Sequence, residues 1–527
     1  MKGIVWTGVA AAMWLTLACP AHTEGLAFKA APAEVTGLRK IMETWKAEEL
    51  ARVGGKAEAL GWWPWGLTTF DYDRDGDIDL LATQHSGRHG ILIKGLFKET
   101  GKLAFVEATK EVGLERADLP CAIGRRSWAW DFDGDGWLDL IGIRSENLLN
   151  KGGKRFEKIG KSPFDNFHPK EIIDLNGDGY PDILTTDGAM FVYVPESKTF
   201  KQLKADASAI PSLIPAELKK TLDEMKQKKN NRFFSLRYHT EYDLNGDGIK
   251  DVVIGGEGAY GADVIGRYLL ADKDGKLSDR TAELGLPTDG APILIHDLTG
   301  DGYLDILVAT GPRAGLYLND GKGHFAVKDG ALKKFLEQGG PYLHRAWLAD
   351  FDNDGDPDLV VSNPRLGAEQ VYENEGGGNF RKVLDAGGWD SDPVCIADMN
   401  DDGLPDLAIG GPGHQASTDI TIYLNETPHP GNFCNLYPVS AAPNPYAVGA
   451  LVEVHAAGAM GKQGVIPLLV EKAHPDATPV HVGLGAATTF DLRVTFPGKE
   501  PKVVELKAVE AKKKLRITPN GNAEEIK

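Results

Sequence analysis

The stretch Asp71-Tyr-Asp73-Arg-Asp75-Gly76-Asp77-Ile-Asp79 comes back six more times, at Asp131–Asp139, Asp174–Asp182, Asp243–Asp251, Asp297–Asp305, Asp350–Asp358 and Asp398–Asp406. Each copy has Asp first, then Asp, Asn or Thr third, Asp-Gly fifth and sixth, and Asp ninth. Oxygens at alternate positions can converge on a hard cation, glycine permits the sharp turn, and a last Asp closes the shell. Such a shell suits calcium better than magnesium, which demands a tighter octahedron and keeps more of its water. A hairpin turn needs one or two residues of this kind, not four in fixed register. An EF-hand opens in the same way but ends on a bidentate Glu at its twelfth position. Here the twelfth positions are Ala82, Gly142, Thr185, Ile254, Val308, Val361 and Ile409, which read as strand residues.

Seven calcium sites are therefore expected, each using side chains at positions one, three, five and nine and the backbone carbonyl at seven. The first two sets are Asp71, Asp73, Asp75, Asp77, Asp79 and Asp131, Asp133, Asp135, Trp137, Asp139. The third and fourth are Asp174, Asn176, Asp178, Tyr180, Asp182 and Asp243, Asn245, Asp247, Ile249, Asp251. The fifth is Asp297, Thr299, Asp301, Tyr303, Asp305, expected to be weakest because Thr299 offers only a hydroxyl. The last two are Asp350, Asp352, Asp354, Asp356, Asp358 and Asp398, Asn400, Asp402, Leu404, Asp406. Seven divalent ions would offset fourteen of the eighteen net negative charges. That acidity argues against nucleic acid, which needs a basic face.

The 527 residues are enough for two to four ordinary domains, or for one large repeat domain with an appendage. Lys2, the apolar run Ile4–Ala18 and the small residues after it read as an export signal, residues 1–21, cleaved after Ala21. A lipid anchor at Cys19 is the alternative, although Thr16-Leu-Ala before it fits a lipoprotein box poorly. The run is short for a bilayer span, and nothing later is long and apolar enough to make one. Cys121, Cys395 and Cys434 remain after cleavage, too few and too odd for a disulfide scaffold. They lie in or beside apolar strands.

Each loop is preceded by a short strand and followed at once by an apolar one, such as Leu80-Leu-Ala-Thr or Leu359-Val-Val-Ser. A third strand often ends in Asn, as at Asn150, Asn319 and Asn374, and a fourth begins with an aromatic, as at Phe105, Phe156 and Phe325. Four short strands per repeat predict an all-β fold, a seven-bladed β-propeller. The seventh unit lacks its aromatic fourth strand, yet Leu26-Ala-Phe28-Lys-Ala resembles Leu103-Ala-Phe105-Val-Glu. That N-terminal segment is expected to close the last blade and cover an open sheet edge. A helix is predicted over Leu38–Val53, and a surface helix over the insertion Pro215–Lys229. From about Thr427 the loops stop and alternating apolar residues take over. The division is thus 22–427 for the propeller and 428–527 for a small β domain.

The loops and strands together resemble FG-GAP/VCBS repeats, the blades of the integrin α-chain propeller. Asn444 to Ala450, Gly483-Leu-Gly485 and Phe496-Pro-Gly498 resemble three stretches of the ASPIC/UnbV domain, with Phe496 in place of the Trp expected there. The whole architecture is similar to the cartilage acidic protein family. The resemblance implies an extracellular calcium-binding protein with adhesion or recognition roles, and no established reaction.

No nucleophile elbow, His-Glu-x-x-His or Walker loop occurs. His296 directly precedes a loop Asp and reads as a packed strand residue. The chain is therefore expected to be a non-catalytic recognition protein for an extracellular protein or glycan. A carbohydrate-active enzyme, a polysaccharide lyase or hydrolase, is the alternative. Six residues before each loop stand Trp65, Arg125, His168, Arg237, Ala291, His344 and Asp392. All but Ala291 are large, polar or aromatic, and Arg126 and Arg345 flank two of them. They are expected to ring a mouth on the face opposite the calcium loops, suited to an acidic ligand.

Overall fold

In the computed structural model the described residues are 25–526, apart from 53, 56–65, 84–89, 116–127, 142–145, 162–168, 175, 186–189, 203–214, 228–234, 240–241, 258–263, 311, 339–344, 364–367, 387–393, 412–419, 463–467, 474–475 and 477. The expected export signal lies outside them.

The described residues are all-β in architecture and form nine small four-stranded sheets. Seven of them carry the repeats. The first is Gly66–Phe70, Asp79–Thr83, Gly90–Gly95 and Phe105–Glu107, antiparallel and in sequence order. Five more follow the same plan, beginning at Trp128, Pro169, Ser235, Ala291 and Arg345. In each, the loop joins the first strand to the second, and the second is apolar because it is covered on both faces. The seventh sheet has Val394–Ala397, Asp406–Gly410 and Ile420–Asn425. Its fourth position is taken by Phe28–Ala30, antiparallel to the third strand with Phe28 opposite Asn425.

Neighbouring sheets share apolar cores. Phe70, Leu81 and Leu92 of the first pack with Ala129, Leu140 and Leu148 of the second. Trp130 and Leu149 continue to Ile183 and Phe191 of the third. Shared clusters likewise join the fourth sheet to the fifth, the fifth to the sixth, and the sixth to the seventh. The seventh packs back on the first, with Ala408, Ile420 and Ile422 against Leu67, Leu80 and Ile91. The helix Leu38–Arg52 lays Leu38, Met42 and Trp45 onto that last joint. The inserted helix Ala216–Gln227 buries Leu218 and Leu222 on the fourth sheet, so it is amphipathic rather than merely superficial. A further helix, Ala331–Gln338, packs Leu332, Phe335 and Leu336 against the fifth and sixth sheets.

The other two sheets come wholly from the C-terminal hundred residues. One holds Asn432–Pro438, Val480–Gly485, Lys513–Ile517 and Ala523–Glu525, the first and third parallel. The other holds Leu451–Ala456, Leu469–Lys472, Thr489–Phe496 and Lys502–Glu510. Leu436, Val452, Val454, Val482, Phe490 and Leu492 fill a single core between them. Phe496, standing where the resemblance expects Trp, belongs to that core. Cys395 and Cys434 are buried in different sheets, donating to the carbonyls of Leu67 and Lys513; Cys121 lies outside the described residues.

Candidate metal centres

All seven loops are built on one hydrogen-bond skeleton. The position-one Asp accepts the N–H of the position-six Gly at 2.7–3.0 Å. The position-five Asp accepts the N–H of position seven at 2.8–3.0 Å. These bonds tighten each loop into a turn that needs glycine at position six, where φ runs from +85° to +100°. Position four is also left-handed, with φ from +59° to +76°. Glycine stands there in loops two to five, but Arg74, Asn353 and Asp401 do in loops one, six and seven.

The position-nine Asp opens the second strand and acts as a strut. One of its oxygens takes the N–H of position two, as from Tyr72 to Asp79 at 2.9 Å and from Phe351 to Asp358 at 2.9 Å. The other takes an N–H from the end of the third strand, as Gly95, Asn150, Tyr193 and Asn425 do for Asp79, Asp139, Asp182 and Asp406. Two backbone donors satisfy this carboxyl and offset part of the cost of its burial.

The gathered carboxyls hold protons more tightly than free ones. Burial is the main cause, with neighbouring carboxylates adding to it; Asp71 and Asp398 rise to about 6, Asp131, Asp305 and Asp354 to about 7, and Asp406 to about 8. Asp79, Asp139, Asp350 and Asp358 are raised well above the usual range. Carboxylates so placed want a cation among them.

Three loops bring acidic oxygens within 4.8 Å of one another: Asp71, Asp73 and Asp79; Asp131, Asp133 and Asp139; Asp350, Asp352 and Asp358. In loop one, Asp71 Oδ1 and Asp73 Oδ1 are buried without a hydrogen-bond partner among the described residues, and so is Asn400 Oδ1 in loop seven. Orphaned oxygens at positions one and three are where a cation would sit, so the residues fit the expected metal. Two loops also carry an internal cation. The Lys94 ammonium pairs with Asp73 and with Asp75 at 2.7 Å, and Lys151 reaches Asp133 and Asp135 at 3.3 Å.

The Asp77 carboxylate, whose residue is expected to give only its backbone carbonyl, is buried and accepts the Lys98 N–H at 2.9 Å, joining Asp75 and Glu99 in a second cluster. Glu99 lies in a four-residue helix too short to read from periodicity. The Thr299 hydroxyl faces Asp297 Oδ1 at 3.3 Å.

The C-terminal unit lies against the loops, which no sequence motif announces. In loop one, Arg74 donates to the Tyr446 hydroxyl at 2.9 Å, and that hydroxyl donates to the Gly136 carbonyl of loop two at 2.7 Å. In loop six, Gly431 N–H donates to the Asp352 carbonyl and Gly485 N–H to the Asn353 carbonyl, both at 2.7 Å. His481 Nε2 meets Asn353 Oδ1 at 2.6 Å. Burial pushes the His481 ring down to about 4, so it is neutral, and its other nitrogen, Nδ1, lies 2.7 Å from Asn435 Oδ1. In loop seven, Lys514 pairs with Asp401, and the Phe433 ring lies on Gly403. Pro443 presses on Gly134 and Gly179 of loops two and three. A cleft of about 410 Å³ separates Asp174 and Asn176 of loop three from Val448, Gly449 and Lys499.

Of the residues expected to ring a mouth, Trp65, Arg125, His168, His344 and Asp392 lie outside the described residues. Arg237 lies within the strand Ser235–His239, opposite Gly255, and Ala291 starts its strand, buried. His296 is half-buried in its strand, with Nδ1 3.0 Å from the Asp297 carbonyl.

The chain carries FG-GAP-like repeats, matched over residues 131–185, 243–308, 297–361 and 350–409. Each match begins on the first Asp of one loop and ends on the twelfth position of the next. Among solved structures, the chain is similar to a lectin of Agrocybe aegerita that recognises non-reducing terminal N-acetylglucosamine (19% identity, 69% of this chain and 86% of that one, TM-score 0.36). It is also similar to the V. cholerae biofilm matrix protein Bap1 (11% identity, 70% and 78%, TM-score 0.31).

Proposed function

We propose that this is an exported calcium-binding recognition protein: an export signal at 1–21, a seven-bladed propeller over 22–427, and an ASPIC/UnbV-like β domain over 428–527. The propeller reading is supported by the joints between sheets. Six of the seven successive joints, including the return from the seventh sheet to the first, have a shared apolar core. The strand Phe28–Ala30 then completes the last blade by covering the edge of its third strand. FG-GAP-like repeats are typical of extracellular proteins, and millimolar calcium outside the cytosol can fill weak sites.

The observation that carries the calcium reading is the loop skeleton, repeated seven times, together with the orphaned oxygens of Asp71 and Asp73 in loop one and of Asn400 in loop seven. Calcium bound there supplies positive charge to carboxylates that burial has crowded together. The chain's own part is to hold those oxygens in place with backbone N–H groups before the ion arrives. Metal analysis of the purified protein should give up to seven calcium ions per chain, and a count of one or two sinks the reading. Excess chelator should lower the melting temperature, since the ion binds only the folded loop.

The ligand is an extracellular protein or glycan with acidic groups, taken at the mouth opposite the loops. Changing Arg125, Arg237 and His344 together to Ala should abolish ligand binding and leave calcium-dependent stability intact. Binding that survives the triple change rules the mouth out. The protein is non-catalytic in this reading. Incubation with a panel of polysaccharides should release neither reducing ends nor unsaturated products, and the appearance of either makes it an enzyme.

A further inference from the structure

Of the two left-handed positions in each loop, position six is always glycine but position four is not, and each side chain that replaces glycine there touches the C-terminal unit. Loops four and five have glycine there, and among the described residues nothing of the C-terminal unit lies within 4 Å of where a β-carbon on Gly246 or Gly300 would be. Loops two and three also have glycine, and the unit reaches them by packing Pro443 and Lys499 on Gly134 and Gly177. Loops one, six and seven instead have Arg74, Asn353 and Asp401, each at a φ near +60°, a region that favours glycine. All three of those side chains grip the C-terminal unit, at Tyr446, His481 and Lys514. Within the loops, a side chain stands at this left-handed position only where it makes a docking contact, which points to a docking device.

Loop six is the place where this docking closes over the ligand oxygens themselves. Asp352 and Asn353 are 5% and 0% exposed, whereas their counterparts Asp73 and Arg74 in loop one are half-buried and exposed. The C-terminal unit is bonded directly to this stretch, the Asp352 carbonyl accepting the Gly431 N–H and the Asn353 carbonyl the Gly485 N–H. Gly483 lies so near that a β-carbon on it would collide with Asp350 Oδ2, the position-one carboxylate. The Gly483-Leu-Gly485 stretch is thus a backbone lid, and its first glycine is required by the close approach rather than by its own dihedral angles.

We propose that the C-terminal unit occludes the cation held in loop six, so that this ion leaves only when Arg74, Asn353 and Asp401 let go of the unit. The inference rests on the calcium reading of the loops. It makes loop six a slow site and loops four and five freely exchanging ones. Because docking follows the loop's shape, occupation of loop six and docking of the unit favour each other.

The test is stopped-flow release of calcium from the full chain into a fluorescent chelator. The native protein should release one ion per chain at least about tenfold more slowly than the rest, as expected for escape through a local opening. The triple variant Arg74→Gly, Asn353→Gly, Asp401→Gly adopts the residue that loops two to five already use, so it should bind the same number of ions and lose the slow phase. The single variant His481→Ala breaks one grip only and decides the matter if the triple variant does not fold; it should shorten the slow phase. Release of all ions in one phase by the native protein overturns the proposal, and so does a slow phase unchanged in both variants. A protein that binds no calcium at all overturns the calcium reading instead.

Discussion

At the scale of single residues, spacing makes positions one, three, five and nine of each loop legible as an oxygen-rich set, because alternate positions in a tight turn converge. The sequence is silent on what each oxygen does. Asp71 and Asp79 are both Asp, yet Asp71 has an orphaned oxygen while Asp79 takes two backbone N–H groups. Asp77 faces a helix rather than the loop interior, which depends on Lys98 and Glu99 twenty residues away. The raised carboxyls give a pH dependence of known sign. Without metal, Asp131, Asp305 and Asp406 bind a proton more tightly folded than unfolded, at about 7, 7 and 8 against an ordinary value of 3.8. Their favourable contribution is complete below the unfolded value and is lost progressively as pH rises from there through the folded values of about 7 to 8. In chelator, therefore, the melting temperature should fall between about pH 5 and pH 8. With calcium in excess the ion replaces the proton, and the same range should show no fall. Thermal scans at several pH values check both, and a rise in chelator over that range counts against the burial argument.

At the scale of elements, the four strands of each unit were readable from apolar runs bounded by turn residues, and the third strand's terminal Asn stood out as a recurring letter without a role. Its role is a clamp between sheets. Asn425 Nδ2 donates to the Pro405 carbonyl of its own loop at 3.1 Å and to the Phe351 carbonyl of the preceding loop at 2.7 Å. Asn150, Asn319 and Asn374 repeat the pattern toward Tyr72, Leu244 and Leu298. Asn425→Ala leaves two buried carbonyls short of a donor and should cost about 1–3 kcal/mol in denaturant unfolding. Asn425→Asp should be no better, since a carboxylate cannot donate; full stability in either variant sinks the clamp. The helix Ala331–Gln338 went unread although Leu332, Phe335 and Leu336 have helical spacing, because eight residues between two strands give too short a window. The N-terminal strand offers a second test. Removing residues up to Pro32 should raise hydrogen exchange at Thr421–Leu424, where Lys29 and Ala30 pair with Leu424 and Tyr423, before the middle sheets respond. Uniform loosening argues against a closing strand.

At the scale of the whole molecule, repetition made the number of units legible, but a repeat cannot say where its copies differ in their neighbours. The contact of the C-terminal unit with the loops went unread for that reason, and so did the uneven strength of the joints. The fifth and sixth sheets are tied on both sides, by shared apolar clusters and by Asn319, Asn374 and Asn425. The third and fourth sheets end their third strands in Val194 and Ala271, and the residue that meets the position-nine Asp there is Tyr193 or Ala271 rather than Asn. Among the described residues, no apolar cluster spans the third and fourth sheets. The sheet between two clamps opens only when both give way, whereas a sheet beside an unclamped joint can part from its neighbour alone. Under mild denaturant, hydrogen exchange should therefore appear first in Asp182–Thr185 and Val252–Glu257 and last in Asp305–Thr310 and Asp358–Asn363. If the molecule opened as one cooperative block, all four strands would exchange together and the uneven-joint argument would fail. Exchange beginning in the fifth and sixth sheets would be a stronger refutation, because it would make the Asn clamps a consequence of packing with no hold of their own.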